Sequence, residues 1–456
     1  MHEEPAAMAE GATPQPWAGV SAAPPPPTGL SAARTVELLR EETRELPYGG
    51  FPMPLRPFVL PLPCYRELLG AAETLVGLLD RAARHLAPDR AGRMAALGVD
   101  PRDCPGFTDD EDFEVAHWAD MARADVVIGP HGPRFLEVNV SGAFGGLVHF
   151  HAHQRAWQRV REEAGRPPYT GVDPFPSLAE LIRRTCDELG VPPQAVLVGT
   201  RRLWGTQPSA RFFAIQTAQL RRHGIPAVHL DFEELLAGIG LPGPVRRPLG
   251  IAQFALADAR AGGYDVGPAW RALEHGFRLI PSQSSWFLHS KKLLALLSEG
   301  MEWMTPDQRG FVARYVPWTR VVGDREVEWR GRRQSLGDLL LRRRERFVLK
   351  GATGFGGAEV TFGAATGAGE WAGLVAEARR TGRFVAQEVV EPTLFPLDVA
   401  LDGAGTVARV TANPVVSPFV LGGVASGCYV KFSTDPGPRV VSASRSALNS
   451  CLLGEA

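Results

Sequence analysis

The stretch from Arg123 to Asn139 reads RADVVIGPHGPRFLEVN, two alternating runs around a cluster of turn residues, and it limits what the surrounding chain can build. Val126, Val127 and Ile128 form a β-branched run, Gly129-Pro-His-Gly132 carries turn chemistry, and Arg134 to Val140 alternates side chains along a second strand. The pattern predicts an antiparallel hairpin. Strand neighbours two apart share a face, so Glu137 and Asn139 point together, and Leu136 and Val138 are expected to point into the core. The hairpin brings Asp125 beside them. Two carboxylates and a carboxamide oxygen, with no His or Cys, make a hard, all-oxygen set suited to Mg²⁺. Arg123 shares the face of Asp125 and can fork onto a phosphate. The competing reading is a surface hairpin with scattered charges, because short motifs of this kind recur by chance.

A second strand pair lies in the C-terminal half. Arg346-Phe-Val-Leu-Lys350 reads as a strand ending in lysine, Gly351-Ala-Thr-Gly-Phe-Gly-Gly357 as a glycine-rich turn, and Ala358-Glu-Val-Thr-Phe362 as the returning strand. Such a turn exposes backbone N–H groups that can close over phosphates. Thr353, Gly354, Gly356 and Gly357 would form the lid, with Lys350 supplying a compact charge at its mouth. The glycines also suggest a dinucleotide fingerprint, but that motif needs a helix after them and here a strand follows. A Walker loop does not fit, since Lys350 precedes the glycines. As a bare pattern this is a plain hairpin turn; its agreement with the acidic hairpin favours a phosphate lid.

Together these segments resemble the ATP-grasp ligases, specifically the circularly permuted group that includes glutathionylspermidine synthetase and eukaryotic glutathione synthetase. That family's metal hairpin carries Arg-x-Asp and then Glu-x-Asn, positions that fall here on Arg123, Asp125, Glu137 and Asn139. In ordinary ATP-grasp chains the metal hairpin comes last. Here it precedes the lysine strand, which favours the permuted order. The resemblance implies an α/β (α+β) ATP-grasp fold with a central Rossmann-like subdomain. It also implies ATP and Mg²⁺ as cofactors, the metal on Asp125, Glu137 and Asn139, and Arg123 on the transferring phosphate.

The same resemblance places a phosphate-contacting lysine just before an apolar helix, where Lys291 fits best and Lys292 is the alternative. In Arg383-Phe-Val-Ala-Gln-Glu-Val-Val-Glu391 the adenine hinge and its ribose carboxylate fall on Gln387 and Glu388. Lys431 stands where the family often has a basic residue near substrate, and lysine in place of arginine leaves its role open. The activity implied is an ADP-forming carboxylate-amine ligase, making an amide or peptide bond through an acylphosphate, on an amino acid or small peptide. A small-molecule kinase using the same ATP site is the alternative enzyme. The non-enzyme alternative is a catalytically inactive ATP-grasp-like protein that only binds.

The rest of the chain is read around these segments. Residues 1–30, rich in Ala, Pro and Gly, are expected to form a disordered arm. Residues 31–190 hold the acidic hairpin, a helix capped by Ser31, and an amphipathic helix from Tyr65 to His85 that should cover a sheet. His149, His151 and His153 would share a face on a strand and suggest a metal, but the residues that follow look helical and no further ligand is evident. Residues 191–290 read as strand, helix, strand with short links, a Rossmann-like parallel unit with Thr200, Arg201 and Asp231 as candidate contacts at its strand ends. Residues 291–456 hold the nucleotide-binding part.

The chain has 456 residues and 45% hydrophobic content, enough for several cores, and its 49 basic against 50 acidic residues imply no nucleic-acid or membrane partner. Five cysteines lack Cys-x-x-Cys spacing, and neither a secretory signal nor a span-length apolar run is read, which suits a cytoplasmic protein. Small-molecule carboxylate and amine substrates are the expected partners, and a homodimer is compatible with this reading.

Overall fold

Apolar residues at helical spacing form a long helix, Leu62–Leu86, whose buried face includes Leu68, Leu69, Ala72, Leu75, Val76 and Leu79. That face covers the largest sheet, as its periodicity requires. The structure, a computed structural model, describes residues 17, 20, 29–46, 50–99, 107–142, 144–199, 210–237, 249–254, 256–353, 359–434 and 447–456. Thr200, Arg201, Gly354, Gly356 and Gly357 lie outside the described residues.

In the large sheet Met53–Pro54, Phe395–Ala400, Val407–Leu421, Val424–Ser433, Leu448–Glu455 and Phe58–Pro61 lie side by side in that order. The acidic hairpin, Met121–Gly129 and Gly132–Val140, joins by pairing with the C-terminal half of Val407–Leu421. Cys428, Val430 and Phe432 pack into the core under the long helix. Tyr429 joins a second core beneath helices Leu147–Glu163 and Pro174–Glu188. This alternation is the period of two that places one helical layer on each face.

Val407–Leu421 contains Pro414 and Pro418, which in a sequence argue against an interior strand. The ladders accommodate them. Val416 pairs with Val126 and the next hairpin pair is Phe419 with Arg123, while the register to Val424–Ser433 shifts between Pro418 and Val420. The C-terminal strand Leu448–Glu455, which carries no strong pattern, runs parallel to Phe58–Pro61.

The central region is a four-stranded parallel sheet in the order Ala227–Asp231, Ala195–Gly199, Leu249–Gln253, Arg278–Ile280. Asp231 is a helix cap here, accepting from Glu233 N and completing a capping box with Glu234, so its carboxylate serves local structure. The third sheet is antiparallel: Val360–Phe362, Phe347–Gly351, Phe384–Glu388 and Thr319–Val321. Helices Leu336–Arg342 and Ala368–Thr381 cover it through Leu336, Leu340, Trp371 and Val375.

Within the segment read as a disordered arm, Trp17 is buried in the main core, beside Gly132 at the hairpin turn. The three spaced histidines all lie on helix Leu147–Glu163. No helix among the described residues is long and apolar enough to cross a membrane.

Candidate active site

The acidic hairpin carries a β-bulge. Arg123 faces Asn139 and Asp125 faces Glu137, but the next pair is Val126 with Phe135, which leaves Leu136 without a partner. The sequence pattern puts Leu136 in the core; the bulge corrects this, burying Phe135 and Val138 and leaving Leu136 only half-buried. The extra residue also directs the Leu136 carbonyl toward the third sheet. There it accepts from Lys350 Nζ at 3.3 Å and from Gln387 Nε2 at 3.1 Å. The acidic hairpin and the lysine strand, far apart in sequence, therefore meet.

Asp125 is surrounded by donors. Its Oδ2 lies 2.9 Å from Lys431 Nζ, its Oδ1 accepts from Ser417 Oγ at 2.7 Å, and Arg123 Nε is 3.6 Å away. Burial pushes the Asp125 carboxyl up, but the Lys431 and Arg123 charges outweigh it and hold the group down at about 2. Glu137 Oε2 lies 3.6 Å from Lys291 Nζ. Burial opposes its ionisation too, and Lys291 and Lys350 together still keep it below the ordinary carboxylate range. His289, in the helix turn before Lys291, acts on Glu137 in the same direction and more weakly. Asn139 gives its amide N–H to the Arg123 carbonyl at 3.4 Å, leaving the carboxamide oxygen as an acceptor.

Lys350 is nearly fully buried, and burial pulls its ammonium down to about 8 against the opposing charge of Glu137. Its Nζ donates to Gln387 Oε1 at 2.8 Å as well as to Leu136 O. The Gln387 carboxamide is engaged by protein on both sides, Oε1 by Lys350 and Nε2 by the Leu136 carbonyl and Thr319 Oγ1. Glu388 is placed less simply than a free ribose acceptor, because its Oε1 pairs with Arg330 at 2.8 Å and Arg346 at 3.2 Å.

The adjacent lysines separate by face. Lys291 reaches Glu137, and its backbone N–H donates to the Ala352 carbonyl at 2.8 Å beside the glycine turn. Lys292 points away, its Nζ on the Leu97 carbonyl at 2.5 Å. Thr353, the last described residue before the turn's tip, is half-buried. A cavity of about 250 Å³ lies at the turn end of the hairpin, between Gly129–Gly132, Arg134, Pro317 and the segment Glu388, Val389, Val390, Glu391.

The three histidines do not join the centre. His151 pairs with Asp173 at 2.6 Å, and burial together with nearby His149 pulls His153 down to about 3. Among the described residues no three His, Cys, Asp or Glu side chains gather as a metal cluster. The candidate oxygen set is completed by an amide. Ser417 and Thr319 escape a sequence reading altogether, since an isolated hydroxyl carries no pattern and only strand register assigns its partner. The centre sets two carboxylates against Arg123, Lys291, Lys350 and Lys431, a cationic surplus that favours a bound anion.

No family model matches the chain. One component of the light-independent protochlorophyllide reductase of Acidiphilium rubrum is 34% identical over 113 residues, 24% of this chain and 22% of that protein's length. So short a match shows no family. Among solved structures, a glutathione synthetase-like effector from Globodera pallida, in its apo form, matches with a TM-score of 0.57 at 12% identity over 94% of this chain and 98% of that one. A candidate gamma-glutamylcysteine synthetase from Methylobacillus flagellatus KT has a TM-score of 0.43 at 12% identity over 83% and 87% of the two chains. The chain shares the fold of the first; the second is too distant to carry an argument.

Proposed function

We propose that this protein is a circularly permuted ATP-grasp enzyme, an ATP-dependent carboxylate-amine ligase that releases ADP. The observation carrying the reading is the position of Glu137, an acid on the hairpin of one sheet with Lys291 and Lys350 both acting on it from elsewhere. Carboxylates held ionised beside surplus cations suit a polyphosphate bound together with a divalent ion. Asp125, Glu137 and Asn139 fit as an all-oxygen set, and Mg²⁺ held there would neutralise charge on the phosphates. Lys291, Lys350 and the glycine turn would hold the phosphates. The base would lie in the cavity along Glu388 to Glu391.

In the reaction a substrate carboxylate oxygen attacks the γ-phosphorus, the bond to the β-phosphate oxygen breaks, and ADP leaves. Arg123 stabilises the transferring phosphoryl charge, where positioned cations contribute most. An amine nitrogen then attacks the acyl carbon, phosphate departs, and the amine loses a proton to solvent. Lys431 keeps Asp125 ionised throughout.

The test is phosphate release from ATP and Mg²⁺ across a panel of amino acids and short peptides. The proposal expects release only when an acid and an amine are both present, with a loss of roughly 100-fold or more in Glu137→Gln and Lys350→Met. A stable phosphoester formed from a single acceptor would make the protein a kinase instead. Turnover unchanged by both substitutions would remove the site.

A further inference from the structure

We propose that Gln387 is a positioning residue for Lys350, a role that rests on the nucleotide reading of this centre. Its carboxamide can be oriented in only one way. Nε2 has two acceptors, Leu136 O at 3.1 Å and Thr319 Oγ1 at 3.0 Å, while Oε1 meets the Lys350 ammonium at 2.8 Å. The opposite orientation would set an N–H₂ against an ammonium and an oxygen against a carbonyl. Thr319 Oγ1 in turn donates to Pro317 O at 2.8 Å, which leaves it as an acceptor for Gln387. Gln387, Thr319 and Lys350 are all buried, so each of these contacts is made away from competing water.

The acceptors chosen for Lys350 are both neutral. Gln387 Oε1 and the Leu136 carbonyl fix two of the three ammonium N–H groups without adding negative charge, which leaves one donor for an anionic ligand. A carboxylate at this position would hold the lysine equally well and quench it. The bulge falls at Leu136, the residue whose carbonyl both Lys350 and Gln387 use. Gln387 therefore acts on the nucleotide through the lysine and also ties the lysine strand to the acidic hairpin.

The experiment measures binding of Mg·AMP-PNP and of adenosine to the full chain by titration calorimetry, in the wild type, Gln387→Leu, Lys350→Met and the double variant. Gln387→Leu is expected to weaken AMP-PNP about tenfold and to leave adenosine within twofold. In the Lys350→Met background the same change should alter AMP-PNP by less than twofold. Thr319→Val removes the acceptor that orients the carboxamide, together with the hydroxyl's own bond to Pro317 O, and leaves Gln387 in place. It should give a smaller loss, about threefold, that also vanishes without Lys350, and it keeps the test open if Gln387→Leu does not fold. Equal losses with and without Lys350, a parallel loss of adenosine, or no loss at all would overturn the role of Gln387 while leaving nucleotide binding intact. Absence of AMP-PNP binding by the wild type would overturn both.

Discussion

Lys431 Nζ lies 2.9 Å from Asp125 Oδ2, joining positions 306 residues apart across the same sheet. Asp125 is held down at about 2 by this pair and Arg123, so its ionised form contributes stability above the ordinary carboxylate value, and that contribution is lost as pH falls through about 2. Lys431→Met should cost roughly 3 kcal/mol at neutral pH, because it leaves a buried carboxylate with only Arg123 and Ser417. The acid limb of its unfolding profile should move to higher pH, and Asp125→Asn in the same chain should recover part of the loss. Denaturant melts between pH 2 and 7 check this; an unchanged acid limb would contradict the pairing.

Lys291 and Lys292 should differ in what they do to the nucleotide. Lys291→Met is expected to weaken Mg·AMP-PNP by about tenfold or more and also to lower the melting temperature, since Glu137 loses a buried charge partner. Lys292→Met should leave that affinity within about twofold and lower stability by about 1–3 kcal/mol, since the Leu97 carbonyl loses its buried donor. Calorimetric titration and thermal melts of the two variants decide the matter.

His117 ties two acids together, its Nδ1 at 2.7 Å from Asp120 and its Nε2 at 3.0 Å from Glu188. Burial pushes the imidazole down, but the two carboxylates outweigh it and raise its folded value above the usual 6.5. Its stabilisation is fully present below that ordinary value and is lost as pH rises through the raised one. His117→Gln should therefore destabilise the protein by about 1 kcal/mol at pH 5.5 and by clearly less at pH 9. Equal destabilisation at both pH values would show that His117 acts by packing alone.

Gly142 follows the acidic hairpin and touches the central sheet so closely that an added Cβ would lie 1.5 Å from the Ala252 carbonyl oxygen. Gly142→Ala must push that loop away from the sheet, at an expected cost of about 1–3 kcal/mol. Gly145→Ala, which would meet nothing within 4 Å, is the matched control and should stay within about 0.5 kcal/mol. Chemical denaturation of the pair provides the comparison.

The sequence by itself determined the local chemistry: turn residues Gly129 to Gly132, alternation that sets Asp125, Glu137 and Asn139 on one face, a lysine ending one strand before glycines, and parallel strands in the central region. These are legible because periods of two and of helical spacing are properties of the backbone, whatever surrounds it. Tertiary structure alone decided which neighbours those residues face. Leu136 became a bulge in the pairing of Met121–Gly129 with Gly132–Val140, and Gln387 turned to Lys350 where both are buried together. Lys291 was separated from Lys292 by the packing of its helix, and Leu448–Glu455 found its place through a distant parallel partner. Each of these depends on contacts between segments far apart in the chain, whose closure no local pattern encodes.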